Sequence, residues 1–327
     1  MFSRLGGPYG LGMRLLVTGG AGYIGSICTR LLLDAGHQVV VVDDLSTGHR
    51  DAVDDRAELV VARVHDAADV VTPDFDAVLH FAAASLVGES VEHPELYWEN
   101  NVVGAIRLLD AVRRAGINRM VFSSTAAVYG NGDGTSLTEA SPTSPINPYG
   151  ASKLAIDHML TAEAHAHDLG AVSLRYFNVV GAYEGLGERH PWETHLLPRL
   201  LDATRRGQGA TVYGTDYPTR DGTCVRDYLH VVDLAEAHLR ALDAARPGTH
   251  QVINLGTGLG HTVSEVLEVV REVTGLPVEV EICPRRDGDP AVLVAENERA
   301  SEILGWTPQR SLQDAVRDAW TFMTADR

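Results

Sequence analysis

Arg14-Leu15-Leu16-Val17-Thr18-Gly19-Gly20-Ala21-Gly22-Tyr23-Ile24-Gly25 reads as a short apolar strand, a glycine turn and the start of a helix. Glycines 19, 22 and 25 give the spacing G-x-x-G-x-x-G, and a helical pattern continues over residues 23–35. In that order the parts begin a dinucleotide-binding βαβ unit. The glycines permit a tight turn, a close approach of backbone to pyrophosphate and close helix–strand packing, while the helix N-terminus faces the phosphates. The next apolar run, Val39-Val40-Val41-Val42, ends at Asp43-Asp44. A carboxylate at that point accepts hydrogen bonds from the adenosine ribose hydroxyls and repels a 2′-phosphate, which favours NAD over NADP.

The pattern repeats outward. Ala77-Val78-Leu79-His80-Phe81 and Arg119-Met120-Val121-Phe122-Ser123 are further short apolar runs, and residues 95–115 and 148–166 read as helices. Continuous apolar strands separated by helices indicate parallel strands buried on both faces. The expected class is therefore α/β, a Rossmann-like doubly wound parallel sheet with a smaller C-terminal α/β substrate lobe. Beyond Asn178 the pattern loosens into a Gly-rich loop over 181–191. A helix over 196–204 and strands over 210–213 and 278–282 follow, with a last helix over 312–323. Thr262-Val263-Ser264-Glu265 has the form of a capping box opening a helix that ends near Gly275. The division expected is 1–12 as a disordered N-terminal extension, 13–180 as the NAD-binding domain and 181–327 as the substrate lobe, with part of 225–255 packing back on the first domain. The leader has no apolar stretch of the signal-peptide kind, and Met13 is a candidate start.

Bulk properties narrow the function. The 327 residues carry 45% hydrophobic and 22% charged residues, ordinary globular values. The formal charge of −17 opposes nonspecific binding to nucleic acid or anionic membranes, so a phosphate ligand must be held by local groups. No stretch approaches ~18 uninterrupted apolar residues, so no membrane span is expected. Cys28, Cys224 and Cys283 are odd in number and widely spaced, which fits a reducing cytoplasm. His158, His165, His167, His190 and His195 lack metal-ligand spacing, and no metal is expected.

The chain contains a single lysine, Lys153, in Asn147-Pro148-Tyr149-Gly150-Ala151-Ser152-Lys153. Arginine fills every other basic position, so this one calls for the compact, tunable ammonium of lysine. Tyr149 lies four residues earlier, on the same helix face. An adjacent ammonium favours phenolate, so the Tyr149 pKa is expected to fall from ~10 toward neutrality, making it a proton-transfer group. Ser123-Ser124-Thr125 ends a strand at the carboxyl edge, where α/β ligands bind, and offers a hydroxyl to a substrate oxygen.

Together these residues resemble the extended short-chain dehydrogenase/reductase family over nearly the whole chain from Met13. Within that family the chain is most similar to the UDP-glucose (UDP-galactose) 4-epimerase group. The resemblance rests on 17–26, Val87-Gly88-Glu89-Ser90-Val91, Asn100-Asn101-Val102, Arg175-Tyr176-Phe177-Asn178, 216–223, Val225-Arg226-Asp227-Tyr228 and 284–289.

The resemblance implies reversible C4 epimerisation of UDP-galactose and UDP-glucose through a 4-keto intermediate, with tightly held NAD. Tyr149 is implied as the base, Lys153 as the group holding the nicotinamide ribose, and Thr125 as the hydrogen-bond partner of the 4-oxygen. Cofactor contacts are implied at Gly19, Gly22, Tyr23, Ile24 and Gly25, at Asp43, Asp44 and Leu45, and at Val64, Phe81, Ala82, Ser85 and Asn100. Tyr149, Lys153, Tyr176 and Phe177 complete the cofactor set. UDP-sugar contacts are implied at Val87, Thr125, Tyr149, Asn178, His195 and Leu196, and at Tyr213, Arg226, Arg286, Asp289 and Leu293. A homodimer through 95–115 and 148–166 is also implied.

Four positions depart from the resemblance. Arg63 replaces an adenine-contacting Asp, Ser85 stands where some relatives have Lys, and His195 where some have Asn. Leu293, at the position that gates room for an N-acetyl group, is neither a bulky aromatic nor a small residue. UDP-N-acetylglucosamine and UDP-pentose 4-epimerases are therefore alternatives, as is a non-epimerising nucleotide-sugar enzyme of the same family. A 4,6-dehydratase needs an Asp-Glu pair just after the Ser/Thr, where this chain has Ala126-Ala127. An inactive NAD-sensing module has no need of Tyr149 and Lys153 together.

Overall fold

The structure is a computed structural model and describes residues 12–132, 134–190, 195–286 and 289–325. Apart from Gly12, the leader expected to be disordered lies outside the described residues. Strand β1 (Arg14–Thr18) leads through α1 (Tyr23–Asp34) to β2 (Gln38–Asp43), β3 (Glu58–Val61) and β4 (Ala77–His80). Helices α2 (Val87–Glu92), α3 (Pro94–Tyr97) and α4 (Gly104–Ala115), strand β5 (Arg119–Ser123), helix α5 (Pro148–His167) and strand β6 (Gly170–Tyr176) follow. Then come β7 (Asn178–Val180), β8 (Ala182–Tyr183), β9 (Leu186–Gly187), α6 (Leu196–Arg205), β10 (Ala210–Tyr213), β11 (Val225–His230), α7 (Val231–Ala244) and β12 (His250–Leu255). The described chain closes with β13 (Gly260–Thr262), α8 (Val263–Thr274), β14 (Val280–Cys283), β15 (Val292–Leu293), α9 (Glu298–Leu304) and α10 (Leu312–Thr324).

Seven strands form one parallel sheet in the order β12-β6-β5-β4-β1-β2-β3, the doubly wound sheet expected. Its inner strands β1, β2, β4 and β5 are largely apolar because both faces are covered there. Leu15 and Val17 point to a core shared with Leu32 of α1 and with Leu234, Ala237 and Ala241 of α7. Leu16, between them, points to the opposite core, with Leu108 and Val112 of α4 and Ile156 and Leu160 of α5. Fully burying one such side chain contributes roughly 1.5–3 kcal/mol. The strand order reverses between β1 and β4, which opens a crevice at their carboxyl ends.

After Tyr176 the chain builds smaller sheets. Strand β11 pairs with β7 through Tyr228–His230 and with β13 and β15 through its first residues, while β10 pairs with β14. Helix α7 and strand β12 then return to the large sheet. Ala300, Leu304 and Trp306 return as well, so contact with the large sheet extends past residue 255. The capping box at α8 forms as expected: Thr262 Oγ1 accepts from the Glu265 amide (3.1 Å), and Glu265 accepts from the Thr262 amide (2.9 Å).

The single helix expected over 95–115 is not continuous. A π-helical stretch, Trp98–Val103, separates α3 from α4. Such wide turns collect at functional sites. This one brings buried Asn101 against the loop after β4, where its amide bonds both the N–H and the C=O of Ala84 (2.8 and 3.0 Å).

Candidate active site

A cavity of about 1220 Å³ runs along the carboxyl edge of the large sheet and continues under the smaller sheets. At one end lies the glycine turn. Gly19 has φ +76°, and a Cβ there would sit 2.5 Å from the Ala82 nitrogen. Helix α1 begins at Gly22 with no side-chain cap and no acidic residue in its first turn. An uncapped N-terminus opening into a cavity is a site for an anion, so the residues present fit the pyrophosphate of a dinucleotide. Asp43 closes this end. Its two carboxylate oxygens accept from the amides of Ala21 (3.0 Å) and Leu45 (2.9 Å), and burial raises its pKa against those hydrogen bonds. Asp43 thus also fixes the glycine turn, a task the sequence does not reveal. Leu45 does not line the cavity; it adopts the left-handed conformation (φ 59°) and lends its amide to Asp43.

Midway along the cavity, α5 presents Tyr149 and Lys153, both buried. The Lys153 ammonium donates to the Ser123 carbonyl oxygen (2.8 Å) and lies 4.8 Å from the centre of the Phe122 ring. Burial pulls its pKa down to about 7, with Asp157 one turn along the helix opposing the shift. The Thr125 hydroxyl hydrogen-bonds the Tyr149 phenol and accepts from the Ala127 amide (3.1 Å), capping the 3₁₀ turn Ala126–Tyr129. Ser124 instead turns inward toward Asp157 (3.4 Å).

The expected fall in the Tyr149 pKa is not found in the chain by itself. Burial raises it, and only the Thr125 hydrogen bond opposes the rise. The ammonium lies 6.0 Å from the phenol ring centre and is directed at Ser123, so desolvation outweighs it. His80 is neutral for the same reason: burial, followed by the nearby Lys153 charge, brings it to about 3. Its Nδ1 bonds the Thr18 hydroxyl (2.7 Å), anchoring the residue before the glycine turn.

The remaining expected residues divide. Gly22, Tyr23, Ile24, Gly25, Asp44, Val64, Phe81, Ala82, Ser85, Asn100, Tyr176 and Phe177 line the cavity with the groups above. So do Val87, Asn178, His195, Arg226, Arg286, Asp289 and Leu293. Arg226 is paired with Asp289, and the Arg286 guanidinium stacks 3.8 Å from the centre of the Tyr213 ring. Tyr213 does not line the cavity and acts on it through Arg286. Leu196 packs into the core of the smaller lobe rather than against the cavity. Leu293 lies opposite Arg226 in the β11–β15 pairing and packs beside Phe177 and Ala126.

Other participants were not anticipated. Arg189 makes a two-pronged ion pair with Asp51 (2.9 Å each), clasping the loop after β9 to the segment after β2 along the cavity wall. Asn101 bonds Ser152, between Tyr149 and Lys153 (3.0 Å). Beneath α5, Arg175 pairs with Asp157 (2.8 Å) and donates to the Tyr129 hydroxyl (3.1 Å), which bonds Asn254 (2.6 Å). Phe322 and Met323 of α10 line the cavity wall as well.

The chain is similar to known proteins over nearly its whole length. The sequence profile of the NAD dependent epimerase/dehydratase family matches residues 15–256. A UDP-glucose 4-epimerase of Corynebacterium glutamicum is 52% identical over 317 residues, 96% of each chain. One of Streptomyces lividans is 53% identical over 315 residues, 94% of this chain and 95% of the relative. Among solved structures, a Stenotrophomonas maltophila UDP-glucose 4-epimerase with bound NAD and formylated UDP-arabinopyranose superposes with a TM-score of 0.91. It is 41% identical and covers 95% of this chain and 97% of its own.

Proposed function

This chain belongs to the NAD dependent epimerase/dehydratase family, and we propose that it interconverts UDP-galactose and UDP-glucose at C4 through a 4-keto intermediate, using a resident NAD. The observation that carries this reading is one continuous cavity. It joins an uncapped, glycine-lined helix start to a buried Tyr149–Thr125 pair beside Lys153, and then to Arg226 and Arg286. NAD, when bound, supplies the acceptor and donor of the C4 hydride.

The chain supplies everything else. Tyr149 removes the proton of the 4-hydroxyl and later returns it, and Thr125 holds the 4-oxygen in hydrogen-bond reach. Lys153 holds the nicotinamide ribose, and its charge, with that of the oxidised nicotinamide, favours the phenolate that burial alone disfavours. Arg226 and Arg286 bind the UDP pyrophosphate bidentately. That anchoring leaves the keto sugar free to turn over before hydride returns to its opposite face. Ala126 and Ala127 follow Thr125 and cannot protonate a leaving hydroxyl, which disfavours dehydration.

Residues 13–180, with the returning segments α7, β12 and α9, hold the dinucleotide, and the rest of 181–327 holds the UDP-sugar. The working form is a homodimer joined through 95–115 and 148–166, where the apolar side chains of Trp98 and Ile106 stand exposed. Among the described residues no helix is long and apolar enough to cross a membrane, and the three cysteines are unpaired. Both features suit a cytoplasmic enzyme. The deciding test is a panel of UDP-galactose, UDP-N-acetylgalactosamine, UDP-glucuronate and UDP-arabinose with products separated by chromatography. Conversion of UDP-galactose to UDP-glucose as the fastest reaction supports the proposal; a panel without any 4-epimer product overturns it.

A further inference from the structure

One end of the cavity carries Arg63, a cation whose guanidinium has no partner among the described residues. The strand order fixes the direction in which a dinucleotide is laid out, given the NAD reading on which this inference rests. The pyrophosphate meets the turn after β1 and the adenosine ribose meets Asp43 at the end of β2. The base therefore reaches the end of β3, the next strand outward. Arg63 stands just beyond Val61, the last residue of β3, and lines the same cavity as Asp43 and Val64. The Ala62 amide donates to the Asp43 carbonyl oxygen (3.1 Å), which ties this stretch of backbone to the ribose-binding strand. Arg63 is exposed, and among the described residues no hydrogen bond or ion pair engages its guanidinium. The carboxylates nearest in the ribose-binding strand turn to backbone instead, Asp43 to the amides of Ala21 and Leu45 and Asp44 to that of Ser46 (2.9 Å), and neither pairs with Arg63.

A guanidinium donates five hydrogen bonds and accepts none. The 6-position of adenine is an amino group, a donor, and two donors do not pair. A carbonyl oxygen at the same position, as in hypoxanthine, is an acceptor and does pair with a guanidinium. We propose that Arg63 sets the purine preference of the cofactor site, making the base end receptive to a 6-oxo purine as well as to adenine. A carboxylate in its place would accept from the 6-amino group and be repelled by a 6-oxo group.

The experiment uses the full chain and two dinucleotides, NAD and nicotinamide hypoxanthine dinucleotide. Each protein is equilibrated with an equimolar mixture until the retained ratio is constant, then desalted, and the released nucleotide is quantified by chromatography. Arg63→Asp should raise the ratio of retained NAD to the hypoxanthine analogue about tenfold or more, the scale of one hydrogen bond to a charged group. Arg63→Gln, whose amide both donates and accepts, should move the ratio in the same direction by less, and it serves as the second variant should the aspartate disturb the loop. A ratio within twofold of wild type in both variants means that the guanidinium meets only water, and overturns the proposal. In a parallel competition of NAD against NADP, a wild type that retains NADP over NAD, and loses that preference in Arg63→Asp, makes Arg63 a phosphate ligand and overturns it too. If the wild-type chain retains no dinucleotide at all, the NAD reading fails and this inference fails with it. If it retains NAD and only the ratio is insensitive, the NAD reading stands and this inference alone fails.

Discussion

Replacing Lys153 by Met should make the nucleotide-free protein more stable while destroying its turnover. Lys153 is buried at 3% exposure, and its pKa falls from the ordinary 10.5 to about 7. At about 1.4 kcal/mol per tenfold change in acidity, keeping the ammonium charged in the folded chain costs at most about 5 kcal/mol. Methionine removes that cost and keeps an unbranched apolar stem. It also strips the Ser123 carbonyl of its partner at 2.8 Å, a loss of about 2 kcal/mol. The balance below pH 7 is a gain of at most about 3 kcal/mol, or a melting temperature higher by up to about 6 °C at roughly 2 °C per kcal/mol for a chain of this size. The sign reverses in alkali. Between pH 7 and 10.5 the unfolded wild-type chain binds more protons at Lys153 than the folded chain, so wild-type stability rises with pH across that window. Above it only the lost carbonyl partner remains, and the variant should melt about 4 °C below wild type. Calorimetric melts of both proteins, freed of nucleotide, at pH 6, 8 and 10.5 read this directly. A variant less stable at pH 6, or a difference that does not change with pH, would refute the reasoning.

Three further outcomes are expected. Tyr149→Phe should retain NAD and UDP-sugar yet lose ~10²–10⁴-fold in turnover, the value of a general base; activity within threefold of wild type would remove Tyr149 from that role. Wild type should turn over UDP-N-acetylgalactosamine slowly or not at all, and Leu293→Gly should raise that activity relative to UDP-galactose by roughly tenfold or more, measured as the ratio of kcat/KM values. Unchanged ratios would show that Leu293 does not border the sugar's 2-position. Arg189→Gln should release NAD up to about fivefold faster in stopped-flow displacement, and the difference should shrink in high salt, as for an exposed ion pair. Equal release rates would leave the Asp51–Arg189 clasp without a part in cofactor retention.

What the sequence disclosed, it disclosed through local pattern. The glycine spacing after β1, the apolar runs of β1, β2, β4 and β5 and the lone Lys153 beside Tyr149 are all read within a few residues of one another. The Thr262–Glu265 capping box is equally local. The features missed depend on distance or depth. Asp51 and Arg189 lie 138 positions apart, and no periodicity joins them. The role of Asn101 follows from a π-helical stretch, which breaks the helical period that the sequence reading assumed over 95–115. The Tyr149 pKa is not legible in the sequence, because a helix face puts the ammonium nearby but does not reveal that the phenol is buried or that the ammonium turns to Ser123. Leu196 and Tyr213 carried roles by resemblance, yet one faces the core and the other acts through Arg286.

The most direct test of redox-neutral epimerisation is the fate of the hydrogen on C4. UDP-galactose is incubated in D₂O with the purified full chain and no added dinucleotide, and C4 is followed by proton NMR. The expected result is an equilibrium mixture of UDP-galactose and UDP-glucose in which both sugars keep protium at C4, because the hydride leaves and returns without meeting solvent. Deuterium at C4 of the UDP-glucose, or no UDP-glucose at all, would contradict it.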